Sequence, residues 1–135
     1  MTAKEYLLSI GRMKRIIAAK EEKIRALMEI ATNTSQALTG MPHNPSGSKS
    51  PMADAICKKI DLEREVEEIQ AKRNAAIAYL NSLPDTEETN LLIKRYVREL
   101  TWDDIAADMY ISRASVFRIH AAAIKNFQPP KDETV

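Results

Sequence analysis

The chain has 135 residues, 44% of them apolar and 29% charged, with a formal net charge of +1. That makes it one domain by length, or two small ones that depend on each other, with an ordinary polar surface. Aromatic residues at 5% and three glycines argue against a strand-rich fold. Cys57 is the single cysteine and excludes an internal disulfide. No apolar run reaches the ~18 residues that cross a bilayer, so no membrane partner is expected. The opening Met1-Thr-Ala-Lys-Glu-Tyr6 lacks a signal-peptide profile, which points to the cytoplasm.

Tyr6, Ile10, Met13, Ile17, Lys20, Ile24, Leu27, Ala31, Thr34 and Leu38 are spaced alternately by four and three. This is the seam of a long amphipathic helix, predicted over roughly residues 3–36. Lys20 and Thr34 interrupt the seam, Gly11 costs about 1 kcal/mol relative to alanine, and Glu21 and Arg25 are spaced to pair on the exposed side. Residues 39–51 hold three prolines and two glycines and predict a flexible loop, closed by Ser50 as cap and Pro51 as first helical residue.

A second long helix is predicted to about Ser82. Ala55, Leu62, Val66, Ile69, Ala76, Leu80 and Leu83 share its heptad track, with Lys59 and Arg73 in two further slots. The two seams either close on each other as a hairpin or pair between chains. Long seams on a small chain usually need partners, so a homo-oligomer, first of all a dimer, is expected. It would be joined through Ile10, Ile17, Ile24, Leu27, Leu62, Val66, Ile69 and Leu80. Residues 1–83 thus read as a helical hairpin or coiled coil for oligomerisation or partner binding.

Leu83-Pro84 ends that region. Asp85 with Glu88 three residues later resembles a capping box opening a helix over Glu87–Arg98, with Leu91, Leu92, Tyr96 and Val97 inward. Thr101 caps the next helix, whose first turn holds Asp103 and Asp104 and whose inward side holds Ile105, Ala106 and Met109. Tyr110-Ile111 turns the chain, and Ser112 caps a last helix over 113–127 with Val116, Ile119, Ala123, Ile124 and Phe127 inward. Residues 128–135 read as a disordered tail. The expected fold is all-α, with a C-terminal trihelical unit at 84–127.

Two short helices joined by a tight turn have the layout of a helix-turn-helix, whose second helix enters the DNA major groove. Removing the inward set from the last helix leaves Arg113, Ala114, Ser115, Phe117, Arg118, Ala121, Ala122 and Lys125 outside. Small residues permit close approach to base edges. Arg113 and Arg118 can donate to guanine or to phosphate, and Ser112 and Ser115 to either. Phe117 fits a thymine methyl, a partner or the core. Charge does not advertise this role, since residues 85–127 hold six Lys/Arg against seven acids, while residues 1–31 hold seven against four.

The stretch from Leu92 through Thr101-Trp-Asp-Asp-Ile-Ala and Ile111-Ser-Arg113 to Phe127 resembles the fourth conserved region of bacterial sigma-70-type factors. The resemblance covers roughly residues 83–127. It implies a DNA-binding trihelical fold, with Ser112, Arg113, Ala114, Ser115, Phe117 and Arg118 where that family contacts promoter DNA. Where that family often has charged residues, this chain has Ala114 and Ser115. Residues 1–82 look nothing like the rest of a sigma factor. The whole layout is similar to small phage-encoded late-transcription activators of the ArpU/RinA type.

His43 and His120 lack partners at metal-ligand spacing, and no Gly-rich phosphate loop, nucleophile elbow or catalytic triad occurs. No enzyme activity, cofactor or metal is expected. The expected function is a transcription regulator, phage- or prophage-encoded, binding double-stranded DNA through Thr101, Trp102, Ser112, Arg113, Ala114, Ser115, Phe117, Arg118 and Lys125. RNA polymerase is a further candidate partner, in the cytoplasm of a bacterium or phage-infected bacterium. Two alternatives stand beside it: a small terminase-like DNA-packaging subunit, and a coiled-coil interaction protein that binds no DNA.

Overall fold

A computed structural model describes residues 1–37 and 51–130, and these form helices with no strand among them. The fold is all-α. Helix α1 spans Ala3–Ala37, α2 Pro51–Ser82, α3 Glu87–Leu92, α4 Trp102–Met109 and α5 Arg113–Asn126. The expected loop from residue 39 to Ser50, and residues 131–135 of the expected tail, lie outside the described residues. No described helix is long and apolar enough to cross a membrane.

The chain divides into two compact units, Met1–Lys14 with Lys72–Val135, and Arg15–Ala71. The divisions fall inside the long helices rather than at residue 83. In the unit Arg15–Ala71, the seam of α1 buries Ile17 and half-buries Lys20, Ile24, Leu27 and Ala31. That of α2 buries Ala55 and half-buries Lys59, Leu62, Val66 and Ile69. Lys20 Nζ lies 2.6 Å from Glu65 Oε1, tying α1 to α2 within one chain. The polar slot at Lys20 is therefore matched by a carboxylate. Arg25 pairs with Glu22 at 2.7 Å, one residue from the expected partner Glu21.

In the other unit the base of the hairpin and the C-terminal helices share a core. Leu7 and Ile10 of α1, Ala76 and Leu80 of α2, Leu92, Tyr96, Ala123 and Phe127 are buried together. Ile10 and Leu80 have 0% exposure and Ile17, in the other unit, 7%. These three seam residues, assigned from sequence to assembly between chains, are covered by their own chain. The reason is that the seams meet internally. Gly11 is buried, and the adjacent Ile10 carbonyl accepts a hydrogen bond from Arg73 Nε at 3.2 Å. A helix-weakening glycine here permits close approach of α2. Tyr6, Tyr79 and Phe127 form an aromatic trio with ring centroids 5.8–6.3 Å apart. The Tyr79 hydroxyl donates to the Gln128 carbonyl at 2.6 Å.

A second cluster holds Leu91, Ile105, Val116 and Ile119, with Leu100, Trp102, Ala106, Met109 and Ile111 packed against it. Leu91 and Leu92 are consecutive on α3 and serve different clusters, because neighbours on a helix point ~100° apart. Thr86, not Asp85, caps α3: its side chain accepts from the Thr89 N–H, while Asp85 accepts from the Asn90 side chain. The helix predicted over Glu87–Arg98 is α-helical only to Leu92. Ile93–Val97 form a π-helical turn in which Arg98 N–H donates to the Ile93 carbonyl at 3.0 Å. Lys94 and Asp108 pair at 2.8 Å, which holds the Asp108 carboxyl below the usual range.

Candidate nucleic-acid interface

Helix α4 begins where the Thr101 side chain accepts from the Asp104 N–H at 3.1 Å. It ends at Tyr110, whose φ of 58° is left-handed. The Ile111 N–H bonds the Ala106 carbonyl at 3.1 Å and the Tyr110 N–H the Ala107 carbonyl at 3.3 Å. This is a Schellman stop, in which the left-handed position is ordinarily glycine. Ser112 then opens α5, accepting from the Ser115 N–H at 3.1 Å and donating to the Ser115 hydroxyl at 3.0 Å. Three residues thus separate the two helices, each residue with a defined backbone task.

The inward set of α5 is as expected: Val116, Ile119, Ala123 and Phe127 are buried and Ile124 half-buried, Phe127 lying just past the helix end. On the opposite side Arg113, Ala114, Phe117, Arg118, Ala121 and Lys125 are exposed, and Ser115 and Ala122 half-buried. Ser112 and Thr101 are exposed, but the hydroxyl of each is engaged as a helix cap. Lys125 lies on α5 twelve residues beyond Arg113, ~18 Å along the axis, and the two do not form one cluster.

Trp102 and Phe117 come together, with ring centroids 5.2 Å apart. Trp102 also meets the His120 ring edge-on at 4.8 Å, and the Arg95 guanidinium lies over the indole at 4.1 Å. Arg95 donates onward to the Leu100 carbonyl at 2.9 Å. Trp102 is therefore half-buried and mainly a pillar under Phe117. Arg113 is held from two sides, its Nη1 3.3 Å from Asp103 Oδ1 and its guanidinium 5.5 Å over the Phe117 ring.

Tyr96, expected on the inward side, and His120, expected only to lack metal partners, meet one another. The Tyr96 oxygen lies 2.7 Å from His120 Nε2 and the rings stack at 5.9 Å. Burial lowers the His120 pKa from its ordinary 6.5, with the positive charges of Lys4 and Arg95 adding to the effect. Burial raises that of Tyr96, with Arg95 opposing. Both groups are neutral near pH 7. Only the spacing of Phe117 and His120, three apart on one helix, hinted that His120 shares a face with an aromatic ring. Asp103 lies in the first turn of α4, where its charge suits the helix dipole, and nothing periodic links it to Arg113.

A family model described as a protein of unknown function, DUF1492, matches residues 51–128, more than half of the chain. The chain belongs to that family. The matched segment starts where α2 starts and takes in α3, α4 and α5. No curated protein and no solved structure matches the chain.

Proposed function

We propose that this DUF1492 member is a sequence-specific double-stranded DNA-binding transcription regulator, phage- or prophage-encoded, that reads the major groove with α5. The observation that supports the reading best is the α4–Tyr110–Ser112–α5 arrangement. It buries one side of α5 while small residues and two arginines lie open on the other. Such a surface suits base edges, and the resemblance of residues 83–127 to the fourth region of sigma-70-type factors supports the same docking.

The role is non-enzymatic and cytoplasmic. The long helices join a second protomer, a dimer placing two reading helices about 34 Å apart, or hold RNA polymerase. Full-length protein is incubated with a random duplex pool, and the enriched duplexes are titrated at several salt concentrations. Binding is expected to weaken steeply with salt. It is expected to fall at least ~10-fold in the Arg113→Ala, Arg118→Ala double variant. Unaltered binding by that variant would remove α5 as the reading helix.

One observation favours a second reading, a helical interaction protein without DNA. Arg113 is already faced by Asp103, and Asp104 is exposed beside it. Failure to bind any duplex at low salt, where phosphate attraction is strongest, would move the assignment there. A ring of eight or more chains would instead favour the DNA-packaging role.

A further inference from the structure

We propose that Asp103 is the specificity-determining residue of this interface, committing Arg113 to a guanine edge instead of a phosphate. The inference rests on the DNA-binding reading above and adds to it which base is read and by what device.

A guanidinium has five N–H donors in a rigid planar fork. In the structure one nitrogen, Nη1, faces the Asp103 carboxylate at 3.3 Å. The cation lies 5.5 Å over the Phe117 ring. Phe117 is itself backed by Trp102 at 5.2 Å, and Trp102 by Arg95 and His120. An exposed ion pair alone would hold little, since water competes for both ends. With an aromatic face as the second contact, the guanidinium has one plane and one occupied corner. The remaining donors fit the paired acceptors O6 and N7 that guanine presents in the major groove.

The same carboxylate disfavours the alternative target. A phosphate approaching Arg113 meets Asp103 as well, and the pair has no net charge with which to release counterions. Arg113 thus contributes discrimination and little general affinity, while the exposed Arg118 and Lys125 supply phosphate attraction. Both Asp103 and Arg113 are accessible, with side-chain exposures of 75% and 60%, as a groove contact requires.

The test compares wild type, Asp103→Ala and Asp103→Asn as full-length chains, each first checked for folding by circular dichroism. Each is titrated against the duplex enriched by wild type, against versions of it with every G·C pair replaced in turn, and against a scrambled duplex. For Asp103→Ala, discrimination at one G·C position is expected to fall roughly 5-fold or more. The scrambled duplex is expected to bind more tightly than it does to wild type. Asp103→Asn, which keeps the acceptor and the side-chain shape, is expected to lie between and guards against a fold defect in the alanine variant. Discrimination retained at every position, or a uniform loss on all duplexes, overturns the role of Asp103 while leaving the DNA-binding reading intact. If wild type enriches no sequence and retains no duplex at low salt, that reading fails, and this one with it.

Discussion

The Tyr96 hydroxyl and the His120 imidazole meet at 2.7 Å, bridging the end of the π-helical turn and the middle of α5. Because His120 is less basic folded than unfolded, the unfolded chain binds more protons just below the ordinary value. Stability linked to this histidine is complete above pH 6.5 and declines as pH falls below it. The decline levels off beneath the folded value. Thermal melts between pH 7.5 and 5 should show that slope in wild type, and His120→Phe should flatten it. The Asp108 carboxyl, also lowered, acts in a separate window below its ordinary 3.8.

Tyr110 occupies a left-handed position with 94% of its surface exposed. A non-glycine residue there costs roughly 1 kcal/mol, and the side chain returns little by packing. Tyr110→Gly is expected to stabilise the protein by about that amount, visible as a raised urea midpoint with an unchanged slope.

Gly11 sits buried beside the Ile10 carbonyl that receives Arg73. Gly11→Leu improves helix propensity but forces a side chain into a closed space, and overpacking of this kind costs about 1–3 kcal/mol. The expected result is a net loss of stability in chemical denaturation. A gain would show that α2 does not approach α1 closely there.

Ser112 separates capping from groove contact. Ser112→Ala should cost about 1 kcal/mol through the lost cap, whereas Ser112→Asp retains a cap acceptor and should be nearly neutral in folding. On the proposed DNA surface the aspartate adds a negative charge, so duplex binding should weaken at low salt despite the preserved fold.

Much of this architecture can be read from spacing. Every position on the alternating steps from Tyr6 to Ala31 and from Ala55 to Leu83 is buried or half-buried, and Leu7 and Gly11 are buried beside the first track. Thr101 and Ser112 cap α4 and α5 as their local chemistry predicts. Local patterns succeed here because each is decided within one or two helical turns. What they miss depends on residues far apart in the chain. Ile10 and Leu80 look equally suited to a second protomer until the hairpin base is seen packed on Phe127. Tyr96 and His120 are 24 residues apart and each is unremarkable alone. At the candidate site, the outward side of α5 follows from subtraction of its apolar positions, but the Asp103–Arg113 pairing spans a turn and carries no periodic mark. Asp85 and Thr86 are both good caps by type, and the backbone selects the second.

The wide turn at Ile93–Val97 has a bearing on which length changes the segment tolerates. A π-turn accommodates one residue more than the regular helix would at the same place. Deleting a single residue between Leu92 and Arg98 would let the segment rewind as ordinary α-helix. Because the extra residue is absorbed within the bulge, the turns on either side would keep their facing. The side chains inside the bulge would be redistributed, so the contacts that such a deletion puts at risk are those made from within it, Arg95 on the indole and Tyr96 on the imidazole.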